Sequence, residues 1–196
     1  PVFDNSAAAA SKYLLDRKHK NIRLWQGDIT RLQVDAIVNA ANEQLLGCCI
    51  PCHECIDNAI HSAAGLQLRQ ACYKIMLEQQ HDEPTGQAKI TPAFNLPSKY
   101  VIHTVGPIWR GGSEGEQALL AACYRNALAL ARQQGCDSVA FPLISAGASG
   151  YPKAQALQVA VDEITRFLGE ADMMVYMVAY TRDAIELTGS LFGEVA

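Results

Sequence analysis

Residues 138–169 read SVAFPLISAGASGYPKAQALQVAVDEITRFLG, and this stretch decides the fold class. It opens on the nearly continuous apolar run SVAFPLI, the pattern of a strand covered on both faces. A turn with glycines at 147 and 150 follows, then a helical stretch with Pro152 near its first turn and Gly169 at its end. Strand, glycine turn and helix in succession are the repeating unit of a layered α/β sheet. The turn also has a chemistry of its own. Gly147 and Gly150 permit positive φ and close backbone approach, and a helix N-terminus presents free N–H groups, so a phosphate is its natural guest. A sharp turn with no ligand explains the spacing as well. ISAGASGYP matches neither the dinucleotide fingerprint nor the lysine-containing phosphate loop.

The same alternation extends in both directions. IRLWQ (22–26), DAIVNA (35–40), KITPAF (89–94), YVIHTV (100–105) and MMVYMVAY (173–180) read as strands, rich in β-branched and aromatic residues. Residues 55–80 read as a helix interrupted at Gly65, 115–135 as a helix ended by Gly135, and 181–192 as a closing helix. With no internal repeat and no linker, residues 21–196 are expected to form one α/β domain, preceded by an N-terminal extension over residues 1–20.

Composition narrows the partners. Hydrophobic residues make up 49% of the 196-residue chain and charged residues 18%, an ordinary globular balance. Sixteen Lys and Arg against twenty Asp and Glu give a net charge of −4 with the cations scattered. No basic stripe exists to neutralise a phosphate backbone, so no nucleic-acid partner is expected. No apolar run is long enough to cross a membrane, and the opening residues lack the basic-then-apolar order of a signal peptide. Four of the seven cysteines crowd between Cys48 and Cys55, which suits a metal site in a reducing, cytoplasmic compartment better than a disulfide framework.

That cysteine cluster, GCCIPCHECIDN (47–58), is the strongest local signal of chemistry. Cys48, His53 and Cys55 supply two thiolates and an imidazole, soft ligands suited to tetrahedral zinc with a fourth position left open. Cys52 or Cys49 would instead close a four-ligand site, and the bland alternative is a set of small buried hydrophobes. A further pair of motifs follows predicted strands: Gly27-Asp28-Ile29-Thr30 and Asn39-Ala40-Ala41-Asn42. Short polar residues at strand ends sit where doubly wound sheets bind ligands, although each taken alone reads as a turn former or helix cap. His61, Cys72, Cys123 and Cys136 read as packing or surface residues, Trp25 and Trp109 as flanking the core, and His103 as a satisfied core histidine.

Taken together, GDIT, VDAIVNAAN, IDNAIHSAAG, TGQA, YVIHTVGPIW and ISAGASGYP resemble the macrodomain family in order and spacing, over roughly residues 22–192. LGCCIPCHECIDNAIH further resembles the zinc-containing macrodomains. The resemblance implies a three-layer α/β/α fold with a mixed, mostly parallel central sheet and an ADP-ribose cleft at its C-terminal edge. It implies that Asp28 accepts from the adenine amine with Ile29 beside it, and that Tyr180 lies against the adenine ring. It places Asn39 and Asn42 at the distal ribose, and Ser145, Gly147, Ala148, Ser149 and Gly150, with Tyr151, around the pyrophosphate. Zn2+ would sit on Cys48, His53 and Cys55, with Asp57 and Asn42 in catalytic roles, Asp57 otherwise serving as a helix cap. The implied activity is hydrolysis of mono-ADP-ribose from modified protein side chains, at an Asp or Glu ester, by a monomer. A non-catalytic ADP-ribose reader and an O-acetyl-ADP-ribose deacetylase are the alternatives. Two departures bear on this: Ala146 and Ser149 replace the usual threonine and aromatic of the pyrophosphate loop, and Cys49 replaces an aromatic.

Overall fold

The computed structural model describes residues 13–15, 21–50 and 55–179. Their strands are β1 (Tyr13–Leu15), β2 (Ile22–Gln26), β3 (Ala36–Ala40), β4 (Ala88–Pro92), β5 (Tyr100–Thr104), β6 (Ser138–Pro142) and β7 (Met174–Ala179). The helices are α1 (Ile56–Ala64), α2 (Leu66–Gln79), α3 (Glu116–Gln133) and α4 (Lys153–Leu168). The sheet runs β1-β2-β7-β6-β3-β5-β4. The five inner strands pair in parallel, while β1 and β4 close the edges antiparallel. This is the expected mixed, mostly parallel α/β sheet. Tyr13–Leu15, inside the segment read as an extension, pairs with β2.

Alternation along each strand divides the core in two. Ala36 and Val38 of β3, Val139 and Phe141 of β6, and Val175 and Met177 of β7 pack on the face covered by α3 and α4. Ile37, Ala140, Val101 and Tyr176 point the other way, against Ile60 and Ala64 of α1 and Leu68 and Cys72 of α2. Strands buried on both faces cannot show a polar alternation, and this is why SVAFP and MVYMVA read as unbroken apolar runs. Burying one such Val, Leu or Phe contributes about 1.5–3 kcal/mol.

The stretch 55–80 is two helices, because Gly65 leaves helical geometry at φ 90° and ends α1 with its N–H on His61 O. Among the described residues, no helix is long and apolar enough to cross a membrane. The closing helix expected at 181–192 and Tyr180 lie outside the described residues.

Candidate active site

The carboxyl ends of the parallel strands gather the polar residues. After β2, the Gly27 N–H donates to Ala179 O of β7 at 3.2 Å. Asp28 then starts a short 3-10 turn, Ile29–Arg31. Asp28 Oδ1 accepts from the Thr30 N–H at 3.0 Å and the Thr30 hydroxyl at 2.7 Å. Its other oxygen stands 3.8 Å from Arg31 Nε on the surface. Ile29 is buried in the core beneath the turn.

On β3, Asn39 shares the α1-facing side of the strand with Ile37. It is fully buried, and its amide nitrogen donates to Asp57 Oδ1 at 2.8 Å. Asp57 lies in the first turn of α1, yet the cap of that helix is Cys55, whose thiol accepts from the Asn58 N–H at 3.4 Å. The Asp57 side chain is therefore not spent on capping. His61, one turn on, brings Nε2 to 3.6 Å from the same carboxylate oxygen. Burial pushes the Asp57 carboxyl up, opposed by the Asn39 bond and by the charges of His61 and Arg69. Burial pushes His61 down, against the pull of the Asp57 carboxylate, which raises it. A buried carboxylate with a raised pKa is the kind of group that accepts a proton from water near neutral pH.

Asn42 behaves differently from Asn39. It is exposed; its amide nitrogen donates to Gly47 O at 3.1 Å and its oxygen accepts from the Gln44 N–H at 3.1 Å. Both ends of this side chain shape the loop leading to Cys48. Gly47 occupies φ 86°, and a Cβ there would crowd the His61 ring at 3.1 Å. Beyond it, Cys48 and Cys55 are half-buried and Cys49 is exposed. The Cys48 thiol hydrogen-bonds Cys55, whose own thiol is pushed up by burial and by that neighbour. Residues 51–54, with Cys52 and His53, lie outside the described residues.

The glycine turn after β6 is built by a different route from the one the sequence suggested. Gly150 takes the positive φ of 74°, but the second left-handed residue is Ser145 at 66°, not Gly147. Tyr151 N–H donates to Ser145 O at 3.0 Å and Gly150 N–H to Gly147 O at 3.0 Å, closing the loop. The N–H groups of Gly147, Ala148 and Ser149 take no part in those bonds. Ser145 Oγ is buried without a protein partner. Tyr151 is buried against Trp109, ring centroids 4.6 Å apart, and the Trp109 N–H donates to Ser149 O at 2.9 Å. Trp109 thus buttresses the loop instead of merely flanking the core. Glu116 fixes the neighbouring turn by accepting from the N–H groups of Arg110, Gly112 and Glu114 at 2.9, 3.0 and 2.8 Å.

Three further residues belong to this site although nothing in the sequence singled them out for it. His61 faces Asp57, where it had read as packing. His103, on β5, pairs in register with Asn39 and stands 3.2 Å from its amide nitrogen. Gly106 is packed so tightly that a Cβ would collide with Ser145 Oγ and approach Ile144 Cγ2 to 2.7 Å. His61, Cys72 and His103 also bring their ligand atoms within 4.8 Å of one another, all buried. Cys123 and Cys136 are buried packing residues, as expected, and so is Trp25.

The architecture has counterparts among known proteins. A protein-ADP-ribose hydrolase of Treponema medium is 57% identical over 139 residues, covering 70% of this chain and 53% of that protein. A protein-ADP-ribose hydrolase of Staphylococcus aureus (strain MRSA252) is 45% identical over 183 residues, covering 85% of this chain and 69% of its own length. The chain thus spans about half the length of the first relative and about two thirds of the second. A mutant of the Oceanobacillus iheyensis macrodomain solved with ADPR superimposes with a TM-score of 0.80 at 40% identity, covering 86% of this chain and 90% of that one. The Macro domain family model matches residues 38–160, from the strand that carries Asn39, through Asp57 and the glycine turn, into α4: the chain belongs to the Macro domain family.

Proposed function

We propose that this chain hydrolyses mono-ADP-ribose from modified proteins, at an Asp or Glu ester, with zinc in its active site. The observation that carries this reading is the Asp57 carboxylate, buried beside Asn39, raised by its surroundings and free of any capping duty. The names of the Treponema and Staphylococcus relatives support the same activity. In this reading the adenine amine donates to Asp28, and the pyrophosphate lies on the N–H groups of Gly147, Ala148 and Ser149. The distal ribose reaches Asn39. Asp57 orients a water at the anomeric carbon and takes its proton. The water oxygen bonds to that carbon as the bond to the ester oxygen breaks, and the protein carboxylate leaves. Anchoring by adenine and pyrophosphate supplies binding energy far from the reacting carbon.

The donor set fits zinc. Two thiols meet in one half-buried loop, and Cys48, His53 and Cys55 together offer the soft ligands that metal selects. Bound there, zinc would polarise a ribose hydroxyl or water and lower its pKa. The clustered free thiols fit a reducing, cytoplasmic setting.

The test is turnover on a mono-ADP-ribosylated protein, with zinc measured on the same sample. Asp57→Ala should lose at least about a hundredfold in release, the lower range for a general base, with little change in melting temperature. One zinc per chain is expected, lost in Cys48→Ser and in Cys55→Ser. A wild-type protein that binds ADP-ribose and never releases it from modified protein is a reader, the reading that Ala146 and Ser149 in the glycine turn favour.

A further inference from the structure

From Asn39 and Asp57 a buried polar chain continues into residues to which the proposed reaction assigns no role. The Asn39 amide nitrogen bonds Asp57 Oδ1 at 2.8 Å and stands 3.2 Å from His103 Nδ1. His103 Nε2 in turn stands 3.0 Å from the Thr91 hydroxyl and 3.6 Å from the Cys72 thiol. Asn39, His103 and Cys72 are all fully buried, and Thr91 nearly so.

Counting hydrogens gives the direction of each bond. A carboxylate only accepts, so Asn39 turns its NH2 and not its carbonyl toward Asp57. The second amide hydrogen falls to His103 Nδ1, which must then hold a lone pair. The imidazole is buried and neutral, so its proton sits on Nε2 and goes to Thr91 Oγ1. One polar atom is left over: Asn39 Oδ1, buried without a protein partner. A buried carbonyl with no donor is costly, which leaves Oδ1 as the acceptor of this chain still to be satisfied.

We propose that His103 is a positioning residue which, braced by Thr91, locks the Asn39 amide so that Oδ1 accepts a hydroxyl of the distal sugar. The inference rests on the ADP-ribose reading above. His61, Cys72 and His103 offer a different use for the same residues, a second metal centre. That use needs the lone pair on His103 Nε2, and the bond from Asn39 puts the proton there instead.

Calorimetry with two probes, ADP-ribose and ADP, separates the possibilities, because ADP lacks the distal sugar. His103→Phe should weaken ADP-ribose about tenfold, the worth of one hydrogen bond, and leave ADP unchanged. His103→Gln, whose carbonyl can accept from Asn39 and whose NH2 can reach Thr91, should recover most of that loss. Thr91→Val should show a smaller fall of the same kind. If His103→Phe does not fold, Thr91→Val and 15N NMR of the wild-type imidazole decide, with the Nε2–H tautomer expected. An equal loss for both nucleotides, no loss for either, an Nδ1–H tautomer, or a second zinc lost in Cys72→Ser would each overturn the lock. Wild-type protein that binds neither nucleotide overturns the functional reading itself, a different result from a variant that matches wild type.

Discussion

Acidification should unfold this protein partly through His103. The ring is fully buried, and burial first, then the neighbouring His61, pushes its pKa from 6.5 down to about 3. In the unfolded chain the imidazole regains its ordinary value and takes up a proton below about pH 6.5. The folded value is the lower one, so the unfolded state binds more protons between those limits, and stability falls as pH drops from about 6.5 toward 3. Each unit of difference is worth about 1.36 kcal/mol, so at pH 4.5 this one group costs roughly 2.7 kcal/mol. That is a large share of the roughly 5–15 kcal/mol by which a typical domain is folded. His61, also pushed down by burial, adds to the same pH dependence, so the quantity to read is the difference between wild type and His103→Gln. Urea unfolding at a series of pH values from 7 to 4.5 should show a shallower fall in the variant, by about that amount. Parallel curves, offset by a constant, would mean that His103 titrates alike folded and unfolded, and the assignment of a buried neutral ring would be wrong.

Gly106→Ala drives a methyl group into Ser145 Oγ and to 2.7 Å from Ile144 Cγ2. Overpacking of this kind costs about 1–3 kcal/mol, and here the atoms that must move carry the glycine turn. A lower melting temperature together with weaker ADP-ribose binding is expected; full affinity at reduced stability would separate Gly106 from the site. Asp28→Ala should lose an adenine bond worth about 1.5–3 kcal/mol in calorimetry. Because Asp28 also caps the Ile29–Arg31 turn, Asp28→Asn should keep the melting temperature and still lose affinity. Unchanged binding in both variants refutes the adenine assignment.

The fold class was legible because parallel strands covered on both faces leave an unbroken apolar signature. SVAFPLI and MMVYMVAY carry it, and the glycines at 65, 135 and 169 punctuate the helices between. Asp28, Asn39, Asp57 and the glycine turn stood out as candidates because each belongs to a short contiguous motif. Their bonding partners could not. The sequence left Asp57 divided between catalysis and capping; Cys55 takes the cap, and that depends on how the loop enters α1. Likewise, the spacing of ISAGASGYP does not show that Ser145 takes a positive φ, packs on Gly106 and accepts from the Tyr151 N–H.

His103 shows the division most plainly. In the chain it is one polar residue in an apolar strand, which reads as a satisfied core histidine, and it is satisfied. Its partners are Asn39, 64 residues earlier on the adjacent strand, and Thr91 on the next. Periodicity records which face of a strand a residue occupies, and so the sequence by itself put Asn39 and Asp57 near the end of a sheet. Register between strands records who stands opposite whom. Only the packed sheet, aligning Asn39 with His103 and laying α1 over both, made four separate polar residues into one site.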